Sequence, residues 1–151
     1  MKKVLSLLAA LVLVLTFALA ACNMLTDKGT YNLGNDSIKS MVGALGEDRK
    51  MNSISTATKN DVQTNIYGYL TDPDDNTQAA NDVAAYFQYL LDNEGFLSLK
   101  AFDGLPYAGG VEMQFAKKSV DEGKIIILDI DYNEKGYTLT FTKGVGTLEE
   151  N

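Results

Sequence analysis

The last third of the chain is a series of short segments in which apolar and polar residues alternate, and this pattern constrains the fold most. The segments are FLSLKAF, VEMQFAKKS, KIIILDIDY and GYTLTFTKG, and DGLPYAGG, VDEG and NEK separate them. Alternation at every second residue is typical of a β-strand with one buried face. Connections this short join antiparallel neighbours, because parallel strands need a crossover of a dozen residues or more. The pattern therefore predicts an antiparallel sheet.

The apolar residues of these segments fall into two sets that point to opposite faces. Ile125 and Ile127 form the smaller set, on the third segment alone. A strand that is apolar on both faces is typical of the middle of a sheet, so we predict that this strand is central. The larger set predicts the face that meets a helix, and it consists of Met113, Phe115, Ile126, Leu128, Ile130, Leu139 and Phe141.

A second pair of strands is predicted upstream, in RKMNSISTATKNDVQTNIYGYLT, with KND as the turn. One face of its second strand carries Val62, Ile66 and Leu70, and the other carries Tyr67 and Tyr69. Neither face is strongly apolar. We therefore expect this hairpin at an edge of the sheet or on a partly exposed face.

The clearest helical pattern is DPDDNTQAANDVAAYFQYLLDNEG, which predicts one main helix at about residues 77–94. Acidic residues precede it, where the positive end of the helix dipole favours them. Gly95 is typical of the left-handed residue that follows a helix. Apolar residues recur at spacings of three and four and predict a stripe that packs on the sheet: Ala80, Val83, Ala84, Phe87, Leu90 and Leu91.

Two segments precede the strands. Residues 22–35 are polar, carry two glycines and show no period, which predicts a tether. The sequence DSIKSMVGAL predicts a short N-terminal helix, capped by Asp36 or Ser37 and ended by Gly46. The predicted fold class is α+β: one domain over residues 36–151, with an antiparallel sheet of about six strands, the main helix packed on one face and the short N-terminal helix.

The first 21 residues predict a targeting segment and not a part of the domain. Lys2 and Lys3 precede an apolar run from residue 4 to 18, and the small residues Ala20 and Ala21 follow it. This order is that of a secretory signal peptide. The run is short for a permanent helical span, which needs about 20 apolar residues.

The sequence LAAC at residues 19–22 refines this interpretation. With the segment before it, it resembles the lipobox signal of bacterial lipoproteins. The resemblance covers residues 1–22 and implies a diacylglyceryl group on the sulfur of Cys22 and a cut between Ala21 and Cys22. Acyl chains such as palmitate would then hold the mature chain on the extracytoplasmic side of the cell membrane, since two chains anchor stably. An ordinary signal peptide cut near Ala21 and a retained helix remain alternatives.

Composition excludes several classes of function. The chain has no histidine, which removes Ser-His-Asp and Cys-His catalysis and the commonest transition-metal ligand. Cys22 is the only cysteine, so no disulfide and no zinc cluster can form within the chain. The formal net charge is −7, and loss of Lys2 and Lys3 takes it to about −9. Such a charge disfavours nucleic acid as a partner, and we predict no cofactor.

Two acidic stretches have simpler explanations than a metal or catalytic site. Asp72, Asp74 and Asn76 begin like a calcium-binding loop, but the glycine and the bidentate glutamate of such a loop are missing. Asp129 and Asp131 have a spacing that suits acid–base work, but alternation along a strand gives the same spacing. We therefore assign no catalytic and no metal-binding residue.

The loop at residues 103–110, DGLPYAGG, is the candidate contact site. Its glycines and proline surround Leu105 and Tyr107, and loops of this kind often carry function. The preferred hypothesis is a membrane-anchored binding or assembly module of the cell envelope, with another envelope protein or a small ligand as its partner. The alternative is a hydrolase that works without histidine, through carboxylates or a divalent ion.

Overall fold

The computed structural model describes residues 25–46, 49–99 and 113–148, which form an α+β fold. The elements are β1 (Thr30–Leu33), β2 (Asp36–Lys39), α1 (Met41–Leu45), β3 (Lys50–Lys59), β4 (Val62–Leu70), α2 (Gln78–Asn93), β5 (Leu97–Ser98), β6 (Met113–Lys118), β7 (Lys124–Asn133) and β8 (Gly136–Val145). None of the helices in these ranges is long and apolar enough to cross a membrane.

Six strands form one antiparallel sheet in the order β3-β4-β8-β7-β6-β5, which confirms the predicted sheet. β8, the last strand, returns to pair with β4, so α2 crosses one face of the sheet between β4 and β5. Gly136 makes the β4–β8 pairing possible, because a Cβ atom there would lie 2.0 Å from the carbonyl oxygen of Tyr69. β1 and β2 form a separate two-stranded hairpin.

One face of the six-stranded sheet, which we call the inner face, is covered by the β1–β2 hairpin, α1 and α2. The predicted helix-facing residues from Met113 to Phe141 are all buried there. Ile125 and Ile127 lie half-buried on the opposite, outer face, and β7 has β6 and β8 as its neighbours. The predictions of the apolar face and of the central strand are therefore confirmed.

The main helix is confirmed, but its buried face is rotated from the predicted one. Tyr86 is fully buried and its hydroxyl donates 2.7 Å to the carbonyl of Lys39, whereas Phe87 is half-buried against Phe115. The predicted stripe contained Phe87 and left out Tyr86, which is buried more deeply. Burying its ring stabilises the helix only where its hydroxyl finds a partner, and here the hairpin supplies one.

The hairpin β3–β4 has the predicted Asn-Asp turn, with positive φ angles of 51° at Asn60 and 63° at Asp61. Its tyrosine face is the buried one: Tyr67 and Tyr69 lie in the core, whereas Val62 and Leu70 are exposed. β3 is the edge strand beside β4 and is exposed along nearly its whole length.

The N-terminal predictions need correction. Residues 30–33, assigned to a tether, form β1 and bury Tyr31 and Leu33. The short N-terminal helix does not begin at Asp36, because residues 36–39 form β2; only Met41–Leu45 is helical, capped by Ser40 and ended by Gly46. The cause is the turn between β1 and β2, where Gly34 has a φ of 60°. The glycine that suggested flexibility in fact closes a hairpin.

Candidate functional site

The residues predicted to carry function lie outside the described residues. Cys22 precedes the first described residue, and Leu105 and Tyr107 fall within residues 100–112. Their roles in lipid attachment and contact therefore remain predictions.

The acidic approach to α2 is built from hydrogen bonds that shape the chain. A carboxylate oxygen of Asp72 accepts the backbone N–H of Asp74 at 3.0 Å. Asp75 accepts both the N–H of Thr77, at 2.9 Å, and its hydroxyl, at 2.7 Å, and these bonds lower the pKa of Asp75. Within the described ranges, no three acidic, histidine or cysteine residues group in a way that could hold a metal ion. Thr77, the residue before α2, makes no side-chain capping hydrogen bond, so these bonds shape the turn that precedes the helix and do not cap it.

The second acidic pair lies on the outer face of β7. Asp129 accepts a hydrogen bond of 2.8 Å from the side-chain amide of Gln114 on β6. Asp131 lies opposite Thr138 of β8. Both carboxylates are exposed, so they form part of the polar outer surface of β7, next to the neutral side chains of Gln114 and Thr138.

Several tyrosines are part of the core. Tyr31 of β1 stacks on Tyr67 with ring centroids 4.1 Å apart, and Tyr69 stacks on Tyr137 at 5.1 Å. Tyr86 is fully buried. Stacked rings with bonded hydroxyls stabilise a core that contains polar atoms.

A cleft of about 580 Å³ lies between α1, α2 and the chain that enters α2. We call it the Arg49 cleft, because the only positively charged group that lines it is the guanidinium of Arg49. It is lined by Leu45, Arg49, Asp72, Asp75, Gln78, Asn81, Asp82 and Ala85.

Inside the Arg49 cleft, Arg49 and Asp82 form a buried pair. The Nη2 atom of Arg49 donates to one carboxylate oxygen of Asp82 at 2.7 Å, and its Nε atom lies 2.6 Å from the other. The hydroxyl of Tyr137 donates to Asp82 at 3.3 Å, and burial raises the pKa of Tyr137. Both oxygens of Asp82 are thus bonded to groups that hold their protons at neutral pH. This arrangement fixes α2 to β8 and offers a polar ligand hydrogen-bonding groups at the rim.

The turn of the β1–β2 hairpin is fixed by a cluster of charges that we call the Lys143 cluster. The ammonium of Lys143 lies 2.6 Å from Asp36 and 2.7 Å from Asp121, and it donates 3.0 Å to the carbonyl of Leu33. Lys143 and Asp36 are each only 3 % exposed. Burial alone would raise the pKa of Asp36, but hydrogen bonds from Lys143 and Ser119 outweigh it and hold the pKa low. The two carboxylates likewise raise the pKa of Lys143 against the effect of burial.

The open end of the same hairpin is fixed by Asp27, in what we call the Asp27 cluster. Its carboxylate accepts hydrogen bonds from Tyr69 at 2.7 Å, the N–H of Gly29 at 2.8 Å and the N–H of Val42 at 3.2 Å, and also one from the hydroxyl of Ser40. The hydroxyls of Tyr69 and Tyr31 bond to each other. A half-buried carboxylate therefore joins the start of the domain to α1 and to the sheet.

Sequence reasoning missed all three clusters because their members lie far apart in the chain. Asp27 and Tyr69 are 42 residues apart, and Lys143 and Leu33 are 110 apart. One signal was available: Lys143 continues the alternation of Leu139 and Phe141, so it lies on the apolar face of β8 and needs a buried partner there.

The geometry alone must guide the assignment of function. Comparisons with protein families, curated proteins and solved structures found no match for this chain.

Proposed function

We propose that this chain is a lipoprotein of the bacterial cell envelope, held on the extracytoplasmic side of the membrane by a diacylglyceryl group on Cys22, and that its domain binds or assembles with another envelope component. The signal of residues 1–22 supports the anchor. The position of the Asp27 cluster, five residues beyond Cys22, is consistent with a domain that begins directly after the anchor.

The observation that carries the binding role is the exposed edge of β3. This strand has ten residues, and only Met51 among them is buried. Within the described chain it pairs with β4 alone, so the polar backbone groups along its other edge face solvent. Natural proteins protect such edges with charges, prolines or short strands. Between Lys50 and Lys59 this edge has none of these, and Ile54 is 45 % exposed on it.

A long edge strand whose residues 51–58 carry no charge is suited to strand addition, in which an extended segment of a partner pairs with the edge through backbone hydrogen bonds. Lys50 and Lys59 would lie opposite each other if two copies of β3 paired antiparallel in full register, which disfavours self-pairing. A partner segment with an uncharged centre and acidic ends fits the same edge better. The loop at residues 103–110, with Leu105 and Tyr107, remains a second proposed contact.

Photo-crosslinking in cells tests the binding role. A crosslinking residue placed at Thr56, exposed on β3, or at Leu105 should capture a discrete partner that mass spectrometry identifies. The same residue at Asp92, exposed on α2, is the control. Thr58→Lys, which places a charge on the edge two residues from the crosslinker, should remove the capture at Thr56 while the protein remains folded. Crosslinks that are no stronger at Thr56 and Leu105 than at Asp92 would contradict the proposal.

The hydrolase alternative has a separate test. Calcium or manganese should raise the melting temperature in a saturable manner if the acidic stretches bind a cation. Asp72→Asn or Asp129→Asn should then abolish the effect. Equal melting curves with and without the ions would leave the binding module as the better account.

A further inference from the structure

The Asp27 cluster fixes the start of the domain close to Cys22, the proposed anchor. Five residue steps separate Cys22 from Asp27, and a fully extended chain spans at most about 3.6 Å per residue. Asp27 therefore lies within about 18 Å of Cys22, whatever the conformation of the steps between them. A tether through residue 35 would have allowed nearly three times that distance.

The surface beside Asp27 consists of α1 and the chain before it. Gly43 of α1 packs directly on the backbone of Gly29, since a Cβ atom there would lie 2.0 Å from the Gly29 carbonyl oxygen. Val42 is half-buried, Gly43 is exposed, and Leu25 is 41 % exposed. The residues of α1 carry no charge, and Lys28 is an exposed cation next to Asp27. Weakly apolar side chains with a lysine suit the boundary between lipid headgroups and water.

We propose that α1, with Leu25 and Lys28, lies against the headgroup surface of the bilayer that holds Cys22, so that the anchor orients the domain as well as tethering it. This inference rests on the proposed lipid attachment. The short span to Asp27 keeps the α1 side of the domain within about 18 Å of the proposed anchor. The acidic residues Asp72 and Asp75 line the Arg49 cleft beyond Leu45, so an uncharged lipid surface suits this orientation better than an anionic one.

The chain has no tryptophan, so a single introduced tryptophan reports its own surroundings. Val42→Trp places the reporter on α1. Val145→Trp is the matched control, because Val145 is 84 % exposed and lies eight residues along β8 from Tyr137, the strand partner of Tyr69. At about 3.3 Å per residue, the control position is roughly 26 Å from the Asp27 end of the sheet. Lys28→Trp is a second reporter in case Val42→Trp unfolds.

The lipidated variants are placed in phosphatidylcholine vesicles whose acyl chains are brominated near the glycerol, and tryptophan quenching is measured. We expect at least twofold stronger quenching at position 42 or 28 than at position 145. Equal quenching at all positions, in protein that floats with the vesicles, overturns the proposed orientation alone. Protein that carries no lipid and does not float overturns the proposed anchor, and with it this inference.

Discussion

The two ends of the β1–β2 hairpin are fixed to the sheet by different chemistry. At the turn, the buried ammonium of Lys143 lies between two carboxylates. At the open end, the carboxylate of Asp27 and the hydroxyls of Tyr69 and Tyr31 form a chain of hydrogen bonds, and the hydroxyl of Tyr86 donates separately to the carbonyl of Lys39. The turn end depends on opposite charges that must both remain ionised. The open end depends on phenols that must remain neutral, and it is the end next to the proposed anchor.

This difference shows how one small hairpin can be fixed by two independent means. A buried ion pair holds strongly but fails at once when either partner is removed. A hydrogen-bonded cluster loses stability in smaller steps, because each bond contributes on its own. The open end can therefore adjust locally while the turn end keeps the hairpin in place.

The largest effect is expected from breaking the turn end. Lys143→Met should lower the free energy of unfolding by about 3 to 5 kcal/mol, because Asp36 is left buried without a counter-charge. Adding Asp36→Asn should recover part of the loss, since it removes that charge. Urea denaturation measures both. Lys135→Met, at an exposed position in the β7–β8 turn, is the control and should change little. A loss for Lys143→Met below 1 kcal/mol would show that the cluster contributes no net stability.

Alkaline pH should loosen the open end first. Burial raises the pKa of Tyr31, Tyr69 and Tyr86, so the folded state keeps phenolic protons that the unfolded chain releases above pH 10. Stability therefore falls as pH rises, by about 1.4 kcal/mol per pH unit for each of these tyrosines, or about 4 kcal/mol at pH 11.

The raised pKa of Lys143 has a consequence of the same sign at the turn end, because its ion pairs are complete below pH 10.5 and are lost as the pH rises further. Urea denaturation at a series of pH values from 8 to 11.5 measures how stability depends on pH. Tyr86→Phe should reduce the loss of stability per pH unit above pH 10 by the contribution of one tyrosine. A midpoint that stays constant to pH 11.5 would be incompatible with buried neutral phenols.

The smallest effect is expected from Asp27. Asp27→Ala should cost roughly 1.5 to 3 kcal/mol, because it removes a charged acceptor from several donors at once. Hydrogen exchange should accelerate at the amides of Gly29 and Val42 and remain unchanged at Val120, which bonds to Asp36 at the turn end. Asp74→Ala, at an exposed position before α2, serves as the control. Faster exchange at Val120 as well would mean that the two ends are not independent.

Much of the sheet could be predicted because its signals are local. The alternation through Ile126, Leu128 and Ile130 fixes both the strand and its buried face, and α2 is long enough to show a helical period. The N-terminal region could not be predicted in this way. The buried hydroxyls of Tyr31 and Tyr69 have partners far away in the chain: they bond to each other across 38 residues, and Tyr69 also donates to Asp27 across 42.

The candidate functional residues likewise differ in whether their sequence signal is local. The signal before Cys22 and the glycine-rich loop with Leu105 and Tyr107 can be predicted because each is a run of consecutive residues. Both lie outside the described residues. The Arg49–Asp82 pair and the Lys143 cluster join strands and helices that only the folded chain brings together. In sequence, Arg49 and Asp82 look like any other surface charge, and only Lys143 shows a signal, through the alternation of β8.

Intact-mass analysis of the protein purified from cell membranes tests the central claim most directly. The account predicts a mature chain that begins at Cys22 and carries the added mass of a diacylglyceryl group, and that loses this group in the Cys22→Ser variant. An unmodified chain cut near Ala21 would identify an ordinary signal peptide, and an uncut chain would identify a retained helix. Either result would contradict the lipid anchor.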